Sequence, residues 1–162
     1  MKKQYSILAF IIAMIVAFDQ WTKYLVATKM EIGQQIVVIS NFFTLTSHRN
    51  TGAAWGMFEG NMILFYLITI IAGGLFVWLL KDGDLRRKPL YTLGVTLMVG
   101  GAIGNFIDRL LFQEVVDFID VDLWSYTTFP IFNVADSFLV IGVILFSIDV
   151  IFEDVVKWKH TK

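Results

Sequence analysis

Four stretches of this chain are apolar for long enough to cross a lipid bilayer: about residues 5–28, 62–80, 90–112 and 134–152. The hydrocarbon core requires roughly 20 such residues of helix. Together they take up about half of the 162 residues, so the sequence reads as a single membrane domain over 1–162 built on four transmembrane helices. The balance of residue types agrees. The chain is 57% hydrophobic and 17% charged, with a mean hydropathy of +0.69. A soluble domain keeps about a quarter of its residues charged. Here there is too little polar side chain to cover a water-soluble globule. The first stretch follows Lys2 and Lys3, as a secretory signal would, but its apolar run continues without a small-residue cleavage site and three more spans follow. A retained helix is expected.

The same composition removes several function classes. A formal charge of −1 gives no reason to expect a nucleic-acid partner. With no cysteine there is no disulfide, no thiolate zinc site and no thiol nucleophile. His48 and His160 lie far apart in sequence, so no metal site is expected, and no cofactor either.

Basic residues orient the spans. Lys2, Lys3, Lys81, Arg86, Arg87, Lys88, Lys157, Lys159 and Lys162 fall on one side, nine of the thirteen Lys and Arg. Lys23, Lys29, Arg49 and Arg109 fall nearer the other. The positive-inside rule puts both termini and the 81–89 loop in the cytoplasm. Pro89 suits a helix start, and Asp82-Gly83-Asp84 suits a turn.

The segments on the outer side differ from each other. Ile36-Val37-Val38-Ile39 and Phe42-Phe43-Thr44-Leu45-Thr46 are β-branched and aromatic, with Ser40-Asn41 between them, so about 33–58 is expected to form a small extracytoplasmic β-hairpin or sheet. Trp55 and Phe58 suit the headgroup level. Residues 113–133 read as a loop, carrying Glu114, Asp117, Asp120 and Asp122 and no basic residue.

Polar residues inside spans are costly and usually mark function. At about 1.5 Å per residue, Asp19 and Lys23 lie near the outer end of the first helix. Asn105, Asp108 and Arg109 reach a similar height on the third, and Asn133 and Asp136 open the fourth at that level. Polar groups of three helices therefore collect at the outer membrane boundary. Each also has a plainer reading. Asp19 and Lys23, spaced i,i+4, can be a snorkelling interfacial pair. Arg109 can simply end a helix, although its fork of donors suits a carboxylate or a peptide carbonyl. Asp136 can serve the first turn of a helix capped by Asn133. Asp117 can be a solvated loop acid, although its apolar neighbours suggest partial burial. Gly94, Gly100, Gly101 and Gly104 are spaced to let helices approach closely.

Without cysteine or a usable histidine, hydrolysis would fall to carboxylates or to a Ser/Lys pair such as Ser137 and Lys23. Two aspartates in a low-dielectric cleft share a proton, so one can deprotonate water while the other polarises a carbonyl. A transporter that binds cations or protons, or an assembly protein using the glycine spacings, would not need aspartates, asparagines and an arginine on one outer rim. A transporter would use a midplane acid, for which Asp149 is the nearest candidate.

These residues also carry a resemblance. Asp19-Gln-Trp-Thr-Lys23, Asn50-Thr-Gly-Ala-Ala-Trp55, Gly100-Gly-Ala-Ile-Gly-Asn-Phe-Ile-Asp-Arg109, Val115-Val-Asp-Phe118 and Phe132-Asn-Val-Ala-Asp-Ser137 follow one another in register over nearly the whole chain. In this the sequence resembles the lipoprotein signal peptidases (signal peptidase II), bacterial intramembrane aspartic proteases. The resemblance implies four helices with an extracytoplasmic β-cradle and an active-site loop. It implies cleavage of diacylglyceryl-modified prolipoproteins before the lipidated cysteine, with Asp117 and Asp136 as the catalytic pair. Asn50, Gly52, Asn105, Arg109 and Asn133 match positions that shape the site and hold the signal peptide, and Asp19 and Lys23 match the first motif. Asp108 is similarly placed and reads as structural. The expected partners are a lipidated prolipoprotein and membrane lipid, with the enzyme a monomer in the bacterial cell membrane.

Overall fold

The computed structural model describes residues 2–52, 62–122 and 129–160. Helix α1 (Lys2–Lys29) leads into strands β1 (Gln35–Ile39) and β2 (Phe43–Asn50). Helix α2 (Met62–Leu79), helix α3 (Pro89–Phe112), strand β3 (Val115–Val121) and helix α4 (Val134–His160) follow. All four helices are long and apolar enough to cross a membrane. The protein is a multi-pass membrane protein.

The helices are not equivalent. In its most apolar window α3 is 61% buried, against 17% for α1, 6% for α2 and 17% for α4. α3 is thus the central post. Pro89 sits in its first turn, where a missing N–H costs nothing, and left-handed Gln113 (φ 59°) ends it, its N–H donating to the Arg109 carbonyl. α4 lies against it at near-backbone contact. A Cβ on Gly94 would stand 2.7 Å from the Gly142 carbonyl, and one on Gly104 2.6 Å from an Asp19 carboxylate oxygen. Elsewhere the helices turn large side chains outward, such as Phe10, Ile63 and Ile71 at 66–72% exposure, a surface suited to acyl chains.

At the connection between α2 and α3, Leu80–Asp82 is a short 3-10 turn, and the reversal falls at 85–87, just past the expected Asp82–Asp84. There Asp84 accepts the amides of Arg86 and Arg87, which holds its carboxyl below the usual value. Lys88 pairs with Glu153 at 3.1 Å.

At the opposite end of the helices, β1, β2 and β3 form one antiparallel sheet in that order. The expected hairpin is present, turning at Ser40–Phe42 with Asn41 left-handed (φ 58°). β2 runs past Thr46 to Asn50, still within the expected 33–58 segment. The larger difference is β3, in a segment read as loop. Its acids obscure a strand pattern. Val116 and Phe118 pack on Val26 of α1, while Val115 and Asp117 line the opposite side. Trp55 and Phe58 lie outside the described residues, as does the middle of the expected 113–133 loop.

Candidate active site

Strand alternation turns Asp117 toward the open end of α4, and α4 begins there with a reciprocal cap. Asn133 Oδ1 accepts the Asp136 N–H at 3.0 Å, and Asp136 Oδ2 accepts the Asn133 N–H at 3.2 Å. The plain first-turn reading of Asp136 is therefore correct as far as it goes. It is incomplete, because Asn133 Nδ2 also donates to Asp117 Oδ1 at 2.6 Å. One asparagine touches both acids.

The other two carboxylate oxygens are likewise held by amides. Asn50 Nδ2 donates to Asp117 Oδ2 at 2.8 Å, and Asn105 Nδ2 to Asp136 Oδ1 at 2.7 Å. Both amides are oriented from behind. Asn50 Oδ1 accepts the Gly52 N–H at 2.9 Å. Asn105 Oδ1 accepts Lys23 Nζ at 2.9 Å and Asn133 Nδ2 at 3.0 Å. An amide whose oxygen is engaged by donors can only present its NH2 to the acid.

Burial pushes the Asp117 carboxyl up to about 7, and the charge of Asp136 pushes the same way, while the bonds from Asn50 and Asn133 and the Lys23 charge oppose the rise. The acid is buried, so the solvated-loop reading does not hold.

Asp19 and Lys23 do pair, at 2.9 Å, but they do not snorkel: both are buried between the helices, 0% and 3% exposed. Lys23 also meets Asp108 at 3.2 Å. With Asn105 as third partner the ammonium is fully engaged. The Ser137 hydroxyl donates to the Asn133 carbonyl at 3.0 Å. A Ser137–Lys23 pair finds no support.

Arg109 stands on the far wall. Its guanidinium lies 4.7 Å from the Phe65 ring centre, and Nη2 reaches the Gly52 carbonyl at 3.4 Å. Between α2, α3, α4 and the 129–132 segment lies a cavity of about 740 Å³. Asn50, Asn105, Arg109, Asp117 and Asp136 line its polar end, and Phe65, Ile68, Ala72, Phe76, Leu139 and Val140 its apolar body. The fold thus gathers all nine sequence-predicted residues around one place. Sequence reasoning missed Phe65 and Gln20. Gln20 donates to Asp108 Oδ1 at 2.7 Å, and its position one residue after Asp19 was the available signal.

Known proteins resemble this chain along most of its length. The family model described as signal peptidase (SPase) II matches residues 11–152. A lipoprotein signal peptidase of Geobacillus kaustophilus is 50% identical over 145 residues, 88% of this chain and 91% of that protein. One from Listeria monocytogenes serotype 4a is 48% identical over 140 residues, 86% and 90% of the two chains. A bacterial membrane enzyme solved by the in meso method at 2.3 Å resolution superposes with a TM-score of 0.83 at 46% identity, covering 92% of this chain and 90% of its own.

Proposed function

Because this chain belongs to the signal peptidase II family, we propose that Asp117 and Asp136 are the pair with which it hydrolyses its substrate. The protein is a membrane peptidase that removes signal peptides from prolipoproteins. The observation that carries the assignment of the pair is Asn133, which donates to Asp117 through its side chain and to Asp136 through its backbone at the mouth of one cavity.

The chemistry follows from that arrangement. With Asp117 titrating near 7, the pair holds one proton at neutral pH and below. The ionised carboxylate takes a proton from water as that water attacks the scissile carbonyl. The protonated one donates to the carbonyl oxygen, and a proton then passes to the leaving amine. No covalent intermediate forms, and neither metal nor cofactor has a step to perform. Asn50, Asn105 and Asn133 hold the carboxylates in place, Gly52 orients Asn50, and Arg109 holds a substrate carbonyl. Asp19 and Lys23 support the site from behind.

The substrate in this reading is a diacylglyceryl-modified prolipoprotein cut just before the lipidated cysteine. Its apolar signal segment fits the apolar body of the cavity, and the sheet edge can clamp an extended peptide. The lipid anchors the scissile bond at the membrane surface, so the site belongs near the outer leaflet, with both termini cytoplasmic as the basic residues direct. The working unit is a monomer, and nucleic acid has no part.

Purified protein in detergent, mixed with a lipidated prolipoprotein peptide, tests this. Asp117→Asn and Asp136→Asn should each abolish cleavage while leaving the protein folded and inserted. Near-normal turnover by either variant would remove that residue from the pair.

A further inference from the structure

Among the described residues β3 is an edge strand, and apart from a single bridge between Ile119 and Phe132 its outward amides have no neighbouring strand to bind. The amide of Val116, immediately before Asp117, donates to Asp108 Oδ2 at 3.2 Å. The amides of Phe118 and Ile119 donate to the Phe132 carbonyl at 3.0 and 2.7 Å. Asp117 is thus pinned through the backbone on both sides.

The same device recurs at the other acid. The first amides of a helix have no partner within it. The amide of Ala135, immediately before Asp136, donates to Asp19 Oδ1 at 2.9 Å, a carboxylate supplied by a different helix. Asp19 and Asp108 then meet on one cation, with Lys23 Nζ 2.9 Å from Asp19 Oδ2 and 3.2 Å from Asp108 Oδ2. All three side chains are at most 3% exposed. Gln20 braces them, donating to Asp108 and to the Gly104 carbonyl.

We propose that the Asp19–Lys23–Asp108 triad sets the separation of the two active-site carboxylates: each of its acids grips the backbone amide preceding one of them, and Lys23 ties the two grips together. The inference rests on the Asp117–Asp136 reading. It makes Asp19, Lys23 and Asp108 positioning residues that touch no substrate. One further contact leads the same way, since the Lys23 ammonium also orients Asn105 toward Asp136.

The geometry distinguishes the two acids. Asp19 uses one oxygen for the amide and the other for Lys23, so an asparagine there can serve only one of them. Asp108 uses a single oxygen for both, and its second oxygen faces Gln20 alone. An asparagine at 108 can therefore keep both contacts and loses only the bond from Gln20, whose NH2 would then face another NH2. Neutralising either acid still leaves Lys23 one carboxylate, so each asparagine variant should fold.

The experiment measures kcat and KM of the full-length protein on the lipidated peptide. It also measures inhibition by a matching peptide whose scissile amide is replaced by a hydroxymethylene group, which must bridge both carboxylates. Asp19→Asn should lower kcat about 100-fold, the scale of a small misplacement of reacting groups, and Asp108→Asn about 10-fold or less. KM should stay within about threefold, while inhibitor affinity falls in step with kcat. Asp108→Ala, which loses the amide grip, should fall well below Asp108→Asn, and this comparison decides the matter if Asp19→Asn does not fold. Equal losses in Asp108→Asn and Asp108→Ala, losses confined to KM, or unchanged inhibitor affinity would overturn the proposal. Turnover by Asp117→Asn or Asp136→Asn would instead sink the pair itself.

Discussion

Helices α2 and α3 are both apolar and both span length, yet they do opposite things. α2 has the highest hydropathy of the four, 2.5, and the smallest buried share over its most apolar stretch, 6%. α3 has the lowest, 1.5, and the largest buried share over its most apolar stretch, 61%. In water the most apolar helix would go inside. In a bilayer lipid is as good a neighbour as leucine, so the interior goes to helices with small residues that permit contact and polar ones that need partners. α3 has both: Gly94, Gly101 and Gly104 against α4 and α1, and Asn105, Asp108 and Arg109 in the site. α2 enters the site chiefly through Phe65, its buried residue, under the Arg109 guanidinium.

The sharpest way to break this contrast is to put bulk on each helix. Gly101→Leu on α3 would drive side-chain atoms into the Ala135 carbonyl and Leu139. Overpacking of this kind typically costs about 1–3 kcal/mol, and more when backbone is struck. Little folded protein should survive solubilisation, as scored by size-exclusion chromatography and melting. A stable Gly101→Leu would mean that α3 is not the central post of the packing.

A smaller effect sharpens the role of α2. Phe65→Ala removes the ring beneath Arg109, a contact worth about 1–2 kcal/mol where desolvated. Cleavage should fall by about tenfold, whereas Ile63→Ala on the lipid-facing side of the same helix should leave it unchanged.

The next test is of pH. Because Asp117 titrates near 7 when folded, against 3.8 ordinarily, its contribution to stability is complete below 3.8 and is lost as pH rises through about 7. Melting temperature should decline from pH 5 to 8, and Asp117→Asn should flatten that decline. Cleavage should fall over the same alkaline limb as the pair loses its proton. Asn50→Ala removes a bond that favours the ionised acid, so that limb should move to higher pH.

The smallest effect belongs to α2 again. Among the described residues, nothing lies within 4 Å of a Cβ added at Gly74. Gly74→Ala should leave activity unchanged and melting equal or slightly higher, since alanine costs a helix less than glycine by about 1 kcal/mol. A marked loss would show that α2 packs more tightly than the lipid-facing reading allows.

Much of the molecule was legible in residue order. Helical reach put Asp19, Lys23, Asn105, Asp108, Asn133 and Asp136 at one height, and the fold brings them into one network. The hairpin was legible because Ile36–Ile39 and Phe43–Thr46 are β-branched or aromatic around a turn. β3 was not, because its alternation is hidden by acids whose burial depends on partners far away in sequence. Asp19 and Lys23 looked like a snorkelling pair for a similar reason. Spacing says that two side chains share a helix face, but not whether that face meets lipid headgroups or another helix.

Sequence by itself determined how many times the chain crosses, which side its basic residues favour, and which polar groups share a depth, because hydropathy, length and helical rise are local properties. Only the tertiary structure decided that two carboxylates grip the amides before Asp117 and Asp136 and share one ammonium between them. Backbone amides are the same at every position. Which of them lacks a partner, and which acid stands near enough to supply one, is settled only when edge strand, helix end and central helix pack together.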